Sequence, residues 1–165
     1  MVDRNRLDKN KLVEAILDKL HHEIATLKTS ARAAHEAATH EESKAEDSHD
    51  TRGLEASYLA GAQAVRIDEI HKLISLFKFL PTREFKTTDL IDAGALVELE
   101  FNGKRNFYFL AAQGGGITAE FNGNPMHVIT AQTPLGEELI GKKLGSLIEV
   151  ETPKGIKEYR VINIW

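Results

Sequence analysis

The chain of 165 residues contains no cysteine, which excludes disulfide bonds and zinc sites with cysteine ligands. It contains no run of 18 apolar residues, and its first residues, MVDRNRLDKNK, are charged, so we expect neither a membrane-spanning helix nor a secretory signal. These absences predict a cytoplasmic protein that has no membrane partner.

Clusters of basic side chains are absent too. The chain has 21 Lys and Arg against 25 Asp and Glu, and its net charge of -4 disfavours direct reading of DNA, which needs grouped cations. Otherwise the composition, 42% apolar and 28% charged, is that of a globular protein. Six carboxylates and only two basic side chains lie between residues 41 and 55, and the six acids are Glu41, Glu42, Glu46, Asp47, Asp50 and Glu55.

The motifs of independent enzymes are missing as well. No Lys-Ser or Lys-Thr pair follows Gly114–Gly116, so this glycine run predicts a connection within a sheet and not a phosphate-binding P-loop. With no cysteine nucleophile and no recognisable Ser-His-Asp order, the chain is not expected to be an enzyme by itself.

The first half of the chain has a helical period. Neither glycine nor proline occurs between residues 10 and 44, and apolar residues recur there at intervals of three and four. This first seam consists of Val13, Leu17, Leu20, Ile24, Leu27, Ala31, Ala34 and Ala38. A second seam consists of Ala56, Ala60, Gln63, Ile67, Ile70, Ile74 and Phe77, and it stops before Pro81. The pattern predicts an antiparallel coiled-coil hairpin over residues 1–80, with the acidic window at its tip.

Both predicted seams change from large side chains to alanine toward the turn. Small seam residues allow two helix backbones to approach closely, so the tip of the hairpin should be thin and weakly stabilised. An arm of about 35 residues would be roughly 50 Å long. The alternative, that alanine serves only as a good helix former, stays open.

After Pro81 the period changes from helix to strand. Five segments are short and rich in β-branched and aromatic residues: ALVELEFNG, KRNFYFLAA, MHVITA, SLIEVETP and KEYRVINIW. The Asn-Gly pairs in FNGK and FNGN predict tight turns, and residues 136–143 predict one short helix. The fold class is therefore α+β, with a mostly antiparallel sheet domain over residues 81–165.

The last 37 residues, ITAQTPLGEELIGKKLGSLIEVETPKGIKEYRVINIW, resemble the C-terminal module of the Gre-type (GreA/GreB) bacterial transcription elongation factors. The landmarks of that module occur in order as Thr133-Pro134-Leu135, Leu139-Ile140-Gly141-Lys142, Gly145-Ser146, Pro153-Lys154-Gly155 and Tyr159-Arg160-Val161. Thr133 stands where the family usually has Ser, and Ser146 where it usually has Asp. The resemblance implies an FKBP-like sheet domain with a short helix.

The resemblance also implies a role for the acidic window. Gre factors carry a tip pattern close to G-D-L-S-E-N-A-E-Y, whose Asp and Glu help to hold Mg²⁺ in the active site of RNA polymerase. When Ala56-Ser57-Tyr58 is aligned with A-E-Y, Thr51 and Leu54 occupy the two acidic positions. Asp50 precedes the first position by one residue, and Glu55 follows the second. We expect Asp50 and Glu55 to be the metal-delivering residues; the next candidates are Glu46 and Asp47.

The same resemblance assigns a docking loop to the sheet domain. Its expected polymerase-binding residues are Thr130, Gln132, Thr133, Pro134 and Leu135. An inward-packed Leu135 in an ordinary turn is the alternative. The expected partner is bacterial RNA polymerase, and through it the nascent RNA, with the factor acting as a monomer.

Several functions stay open at this stage. The leading hypothesis is a factor that enters the secondary channel of RNA polymerase and stimulates cleavage of backtracked RNA, which is two-metal phosphoryl chemistry. A channel-binding regulator without cleavage stimulation is one alternative. The others are an FKBP-like isomerase or chaperone with a coiled-coil arm, and a structural coiled coil formed between chains.

Overall fold

The computed structural model describes residues 8–39 and 52–165, and these fall into two compact units. One unit contains the described residues up to Ile16 together with Phe79–Trp165, and the other spans Leu17–Lys78. The boundary expected after residue 80 stays a prediction. Within the described ranges, no helix combines the length and apolar character that crossing a membrane requires.

The chain has two long helices, α1 over Lys9–Thr39 and α2 over Arg52–Lys78, and the helical unit contains α1 from Leu17 onward together with α2. The Arg66 guanidinium of α2 donates a hydrogen bond to the Glu23 carboxylate of α1 at 2.9 Å. Glu23 lies 16 residues before the end of α1, and Arg66 lies 14 residues after the start of α2. Because the paired residues are almost equally far from the segment 40–51 that joins the helices, the helices run antiparallel, as the sequence predicts.

The predicted seams can be compared with the burial of the side chains on the two helices. All seven positions of the second predicted seam are buried or half-buried, and Ile70 and Phe77 are completely so. On α1, Leu20 and Ile24 are buried. The seam prediction is confirmed for these residues.

The first turns of α1 depart from the predicted seam. Leu12 and Ile16 are completely buried, whereas the predicted members Val13 and Leu17 are only half-buried. Leu12 and Ile16 belong to the sheet-bearing unit. The first turns of α1 are therefore part of that unit and not of the helical unit.

One polar residue interrupts the seam of α2. The Gln63 side-chain oxygen Oε1 is buried and has no hydrogen-bond partner in the part of the chain that the structure describes. An unsatisfied buried polar group typically costs about 1–3 kcal/mol. Gln63 therefore makes the hairpin less stable than an apolar residue would.

We predict that Gln63→Leu raises the free energy of unfolding by about 1 kcal/mol, because it removes the unsatisfied oxygen and adds apolar contact in the seam. Thermal and urea melts followed by circular dichroism at the helix band would measure the gain. The same change at the exposed Gln113 should leave the melting curve where it is. A lower melting temperature for Gln63→Leu would contradict this account of the seam.

The sheet domain contains six strands and one short helix. In chain order they are β1 Leu96–Phe101, β2 Lys104–Leu110, β3 Thr118–Phe121, β4 Asn124–Ile129, α3 Pro134–Leu139, β5 Leu147–Thr152 and β6 Gly155–Ile164. The strand order is β3-β4-β2-β1-β6-β5. Strand β3 was not among the predicted strands.

Two Asn-Gly turns shape the sheet, as the sequence predicts. Asn102 and Gly103 connect β1 to β2, and Asn122 and Gly123 connect β3 to β4, all four with positive φ between 50° and 75°. Such two-residue loops match the twist of a hairpin. The sheet is mixed, however, because β2 pairs with β4 in parallel while the other four pairs are antiparallel. The mostly antiparallel sheet predicted from the sequence is confirmed. Its one parallel pair arises because Gly114–Gly116 lies in the connection that lets the β3–β4 hairpin join β2 through its second strand.

The two faces of the sheet are both apolar in part. One face contributes to the main core, which includes Val97, Leu99, Leu110, Ile148 and Val161, and Leu139 of α3 belongs to the same cluster. Alternation along the strands places the buried residues Leu96, Phe109, Met126 and Phe121 on the opposite face. The main core therefore forms beneath α3, which positions the loop in front of that helix.

A buried lysine anchors the beginning of α1 within the sheet-bearing unit. Only 7% of Lys9 is exposed, and its ammonium Nζ donates hydrogen bonds to the carbonyl oxygens of Arg83 and, at 2.8 Å, Gly94. It lies 4.6 Å from the centre of the Phe85 ring, which the Arg83 guanidinium also contacts at 4.5 Å. Burial lowers the pKa of Lys9 to about 8, against the opposing effect of Glu84, and Arg83 lowers it further.

This pKa predicts a pH dependence of stability. Between about pH 8 and the ordinary lysine value near 10.5, the unfolded chain binds more protons than the folded one, so the free energy of unfolding should rise with pH. Burial raises the pKa of Tyr108 and Tyr159, whose effect is opposite in sign but begins only near pH 10. Urea melts at about pH 7.5 and about pH 9.5 should therefore show the increase, and Lys9→Met should abolish it.

The exposed Lys11 provides the matched control, since Lys11→Met should keep the pH-dependent increase. If Lys9→Met retained the same slope between the two pH values, the buried ammonium would not be its source.

Candidate functional site

The loop before α3 is closed by hydrogen bonds around Thr133. Its hydroxyl donates to the carbonyl oxygen of Thr130 at 2.7 Å and accepts from the Gly136 N–H at 3.2 Å, which caps the first turn of α3. The Thr133 N–H donates to the same Thr130 oxygen at 3.0 Å. The Thr130–Thr133 turn is therefore held to α3 by both side chain and backbone.

This cap explains why the helix predicted over 136–143 has different bounds. Thr133 and Pro134 are a preferred N-cap and first helical residue, so α3 begins at Pro134. It ends at Leu139, before Gly141, whose φ of 76° lies in the left-handed region that favours glycine. The whole helix lies two to four residues earlier than predicted.

The predicted docking residues share this one loop and helix start. Gln132 and Pro134 are exposed, whereas Thr130 and Thr133 are half-buried. Leu135 is half-buried and packs against the main core, as the alternative interpretation of this residue expected. The exposed part of the loop is therefore a small polar and proline surface, and its role in docking stays a prediction.

Gly136 leaves the space that the loop needs next to α3, and sequence analysis did not identify this residue. A Cβ atom at this position would lie 2.8 Å from the Thr130 carbonyl carbon and 2.9 Å from Thr133 Oγ1, and closer still to the Thr130 carbonyl oxygen. Only glycine allows the Thr130 carbonyl to approach the helix so closely. The sequence did contain a signal of this role, a glycine in the first turn of a predicted helix, because glycine otherwise lowers helix stability.

The second candidate element is the start of α2. Glu55 lies in its first turn with its side chain exposed, a position where a carboxylate interacts favourably with the helix dipole. The neighbouring Leu54 and Tyr58 are 56% and 73% exposed. The other predicted acids, Glu46, Asp47 and Asp50, lie outside the described residues. Over residues 8–39 and 52–165, no three His, Asp or Glu side chains converge as a metal site.

Comparison with known proteins gives consistent results. The family described as "Transcription elongation factor, GreA/GreB, C-term" matches residues 86–165. The transcription inhibitor protein Gfh1 of Thermus aquaticus is 34% identical over 121 residues, covering 72% of this chain and 73% of the relative. The transcription elongation factor GreA of Chloroherpeton thalassium is 26% identical over 158 residues, covering 95% and 97%. A crystal structure of Thermus aquaticus Gfh1 aligns over 92% of each chain at 25% identity, with a TM-score of 0.38.

We predict that Gly136→Ala destabilises the sheet domain by about 1–3 kcal/mol, because the added methyl group collides with backbone that cannot move without opening the cap. Urea unfolding would measure the loss. Gly61→Ala in α2 is the matched control, since open space surrounds that position and the same change should stabilise the helix by roughly 0.5–1 kcal/mol. Equal effects of the two substitutions would refute the close approach at Thr130.

Proposed function

Because the chain belongs to the GreA/GreB family of transcription factors, we propose that it binds bacterial RNA polymerase and acts through the secondary channel of that enzyme. The observation that carries this proposal is the 34% identity to an inhibitor of transcription over 72% of the chain. A match to an elongation factor over 95% of the chain supports it. The chain is a factor of this family and not an enzyme by itself.

The helical unit has properties that suit a probe of a narrow channel. Its part of α1, residues 17–39, contains 23 residues and α2 contains 27, which at 1.5 Å per residue gives lengths of about 35 and 40 Å. Toward the turn, the seam positions Ala31, Ala34, Ala56 and Ala60 are half-buried small side chains. We propose that this thin hairpin enters the channel, and that the factor works as a monomer in the cytoplasm.

The loop at the start of α3 is the proposed contact with the rim of the channel. Pro134 and Gln132 are exposed on it, and Thr133 holds it in one conformation through the cap. A preformed loop loses little conformational entropy on binding. Thr130 and Leu135 are the half-buried residues of this loop, and Leu135 packs against the main core.

At the tip, we propose Asp50 and Glu55 as the residues that deliver a shared Mg²⁺ ion, with Glu46 and Asp47 next. Magnesium takes oxygen ligands and usually only one or two protein carboxylates, and Glu55 presents an exposed carboxylate in the first turn of α2. When bound with the polymerase, the ion would supply activation of water for hydrolysis of backtracked RNA. The role of the chain is then to bring carboxylate oxygens to the polymerase, and its contact with the RNA is indirect.

A second candidate function is channel binding without cleavage stimulation. Thr51 and Leu54 occupy the positions where the family pattern has its two acids. The relative with 34% identity is named as an inhibitor. The helices of this chain pair with each other through Arg66 and Glu23, so a coiled coil between chains has no observation in its favour. No observation on the described residues favours an FKBP-like isomerase or chaperone either.

We predict that Asp50→Ala and Glu55→Ala each lower RNA cleavage in stalled polymerase complexes by about tenfold or more, while polymerase binding is unchanged. Loss of a carboxylate at a metal site should cost at least as much as loss of an outer-shell partner. The exposed Glu151 of β5 is the control, and Glu151→Ala should leave cleavage unchanged. Full cleavage by both tip variants would remove metal delivery from these residues, and binding without any cleavage by the unsubstituted protein would select the second function.

A further inference from the structure

The first half of α2 has apolar side chains on its outer surface. Leu54, Tyr58 and Val65 are 56%, 73% and 62% exposed. They follow one another at intervals of four and seven residues, about one and two helical turns, so they point in nearly the same direction. Gln63 of the seam lies nine residues, or about two and a half turns, after Leu54 and therefore points the opposite way. These three exposed residues, Leu54, Tyr58 and Val65, form a line on the side of α2 opposite the seam, which we call the outer stripe.

This part of α2 contains almost no charge. Between residues 53 and 65 the only charged residue in the sequence is Glu55. Charge returns after the outer stripe, because Lys72 lies 18 residues, or about five turns, after Leu54 on the same side and pairs with Asp68 at 2.8 Å. A helix that buries one face normally has polar residues on the opposite face. The first half of α2 departs from this rule.

The neighbouring stretch of α1 has an ordinary charged surface. The ion pair between Arg66 and Glu23 places the outer stripe alongside about residues 24–35 of the antiparallel α1. Arg32 is exposed there and forms an ion pair with Glu36 at 2.8 Å, which is exposed too. The two helices therefore present different chemistry at the same level of the hairpin, with charges on α1 and apolar side chains on α2.

Gly61 lies within the outer stripe, seven residues or about two turns after Leu54. A Cβ atom at this position would meet nothing within 4 Å. Glycine lowers helix stability relative to alanine, and no close contact among the described residues requires it here. The absence of a side chain allows another surface to approach the helix backbone closely. Gly61 therefore suits a partner that packs on this side of α2.

The chemistry of the outer stripe selects the class of partner. Exposed apolar residues at intervals of one and two turns are the pattern by which a helix lies on an apolar protein surface. A nucleic acid would need basic side chains for its phosphates, and residues 53–65 include none. The three side chains offer roughly 300–400 Å² of surface. A stable pair of copies needs roughly 800 Å² per partner, so the stripe fits a patch within a larger interface.

We infer that the outer stripe packs against an uncharged, apolar surface of RNA polymerase inside the channel, so that α2 faces this wall and α1 faces solvent or polar groups. This inference rests on the proposed function, because it takes RNA polymerase as the partner. Leu54 lies next to Glu55 in the first turn of α2. Contact along the stripe therefore fixes the rotation of α2 about its axis, and with it the direction of the Glu55 carboxylate.

The experiment measures the affinity of the full-length protein for core RNA polymerase without nucleic acid, by fluorescence anisotropy. Leu54→Gln, Tyr58→Gln and Val65→Gln should each weaken binding several-fold, and the triple variant by about tenfold or more, as expected for apolar contacts within an interface. Glutamine is a good helix former, so α2 should persist. Gly61→Gln should also weaken binding, because the added side chain blocks the close approach.

Leu59→Gln is the matched control on the same helix. Leu59 is 52% exposed, but it lies one residue after Tyr58 and so points about 100° away from it. This variant should bind polymerase normally. Should the triple variant melt at a lower temperature, Gly61→Gln decides, because it replaces glycine with a stronger helix former.

The outcomes separate this inference from the proposed function. If the unsubstituted protein does not bind polymerase, the proposed function fails and the inference falls with it. If Pro134→Ala weakens binding while the triple variant and Gly61→Gln bind normally, the inference alone is overturned. It is also overturned if the triple variant binds core polymerase normally and only stalled complexes with RNA more weakly, since the stripe then contacts nucleic acid. A dimer in light scattering that Tyr58→Gln dissociates would assign the stripe to a second copy and overturn it too.

Discussion

The helical unit depends on one constraint, the burial of a narrow apolar seam between two antiparallel helices. Isolated helices are marginal in water, and most helical stability in proteins comes from packing of one apolar face. Here that face is anchored by Leu20, Ile24, Ile70 and Phe77, all buried, and it narrows to alanine toward the turn. A long and thin hairpin can therefore exist only if its stability is concentrated at the end where the large side chains meet. The unsatisfied oxygen of Gln63, between these two regions, lowers stability further along the same seam.

Features set by neighbouring residues were predictable from the sequence, and features set by distant ones were not. The α2 seam and the two Asn-Gly turns follow from local spacing and backbone preference, and both are confirmed. The parallel pairing of β2 with β4 depends on which strand a hairpin joins, and local sequence does not specify that choice. Lys9 follows the same rule, because its acceptors, Arg83 and Gly94, are 74 and 85 residues away. A lysine at the start of an amphipathic helix gives no sign that distant carbonyl groups will surround it.

The same distinction between local and long-range features applies to the candidate site. The loop before α3 contains a local capping signal, the Thr-Pro pair, although the helix was predicted to begin at Gly136 and not at Pro134. The importance of Gly136 could not, since it arises from the approach of the Thr130 carbonyl, which only the folded loop brings near. Exposed aliphatic residues look like core residues in a sequence, and only burial distinguishes them.

In the proposed function, docking and cleavage rest on different parts of this chain, and the tip acids are shifted by one residue from the family pattern. Successive residues on an α-helix point about 100° apart around the axis. Leu54 occupies the position of the family's acid, so the Glu55 carboxylate projects from α2 about 100° away from that direction. For the proposed metal delivery by Glu55, a rotation of α2 would have to bring this carboxylate back to that direction. On the proposed function, the rotational setting of α2 decides between cleavage stimulation and channel blocking, and the loop before α3 provides the contact with the polymerase. Relatives named for elongation and for inhibition are both compatible with one fold that has two such independent parts.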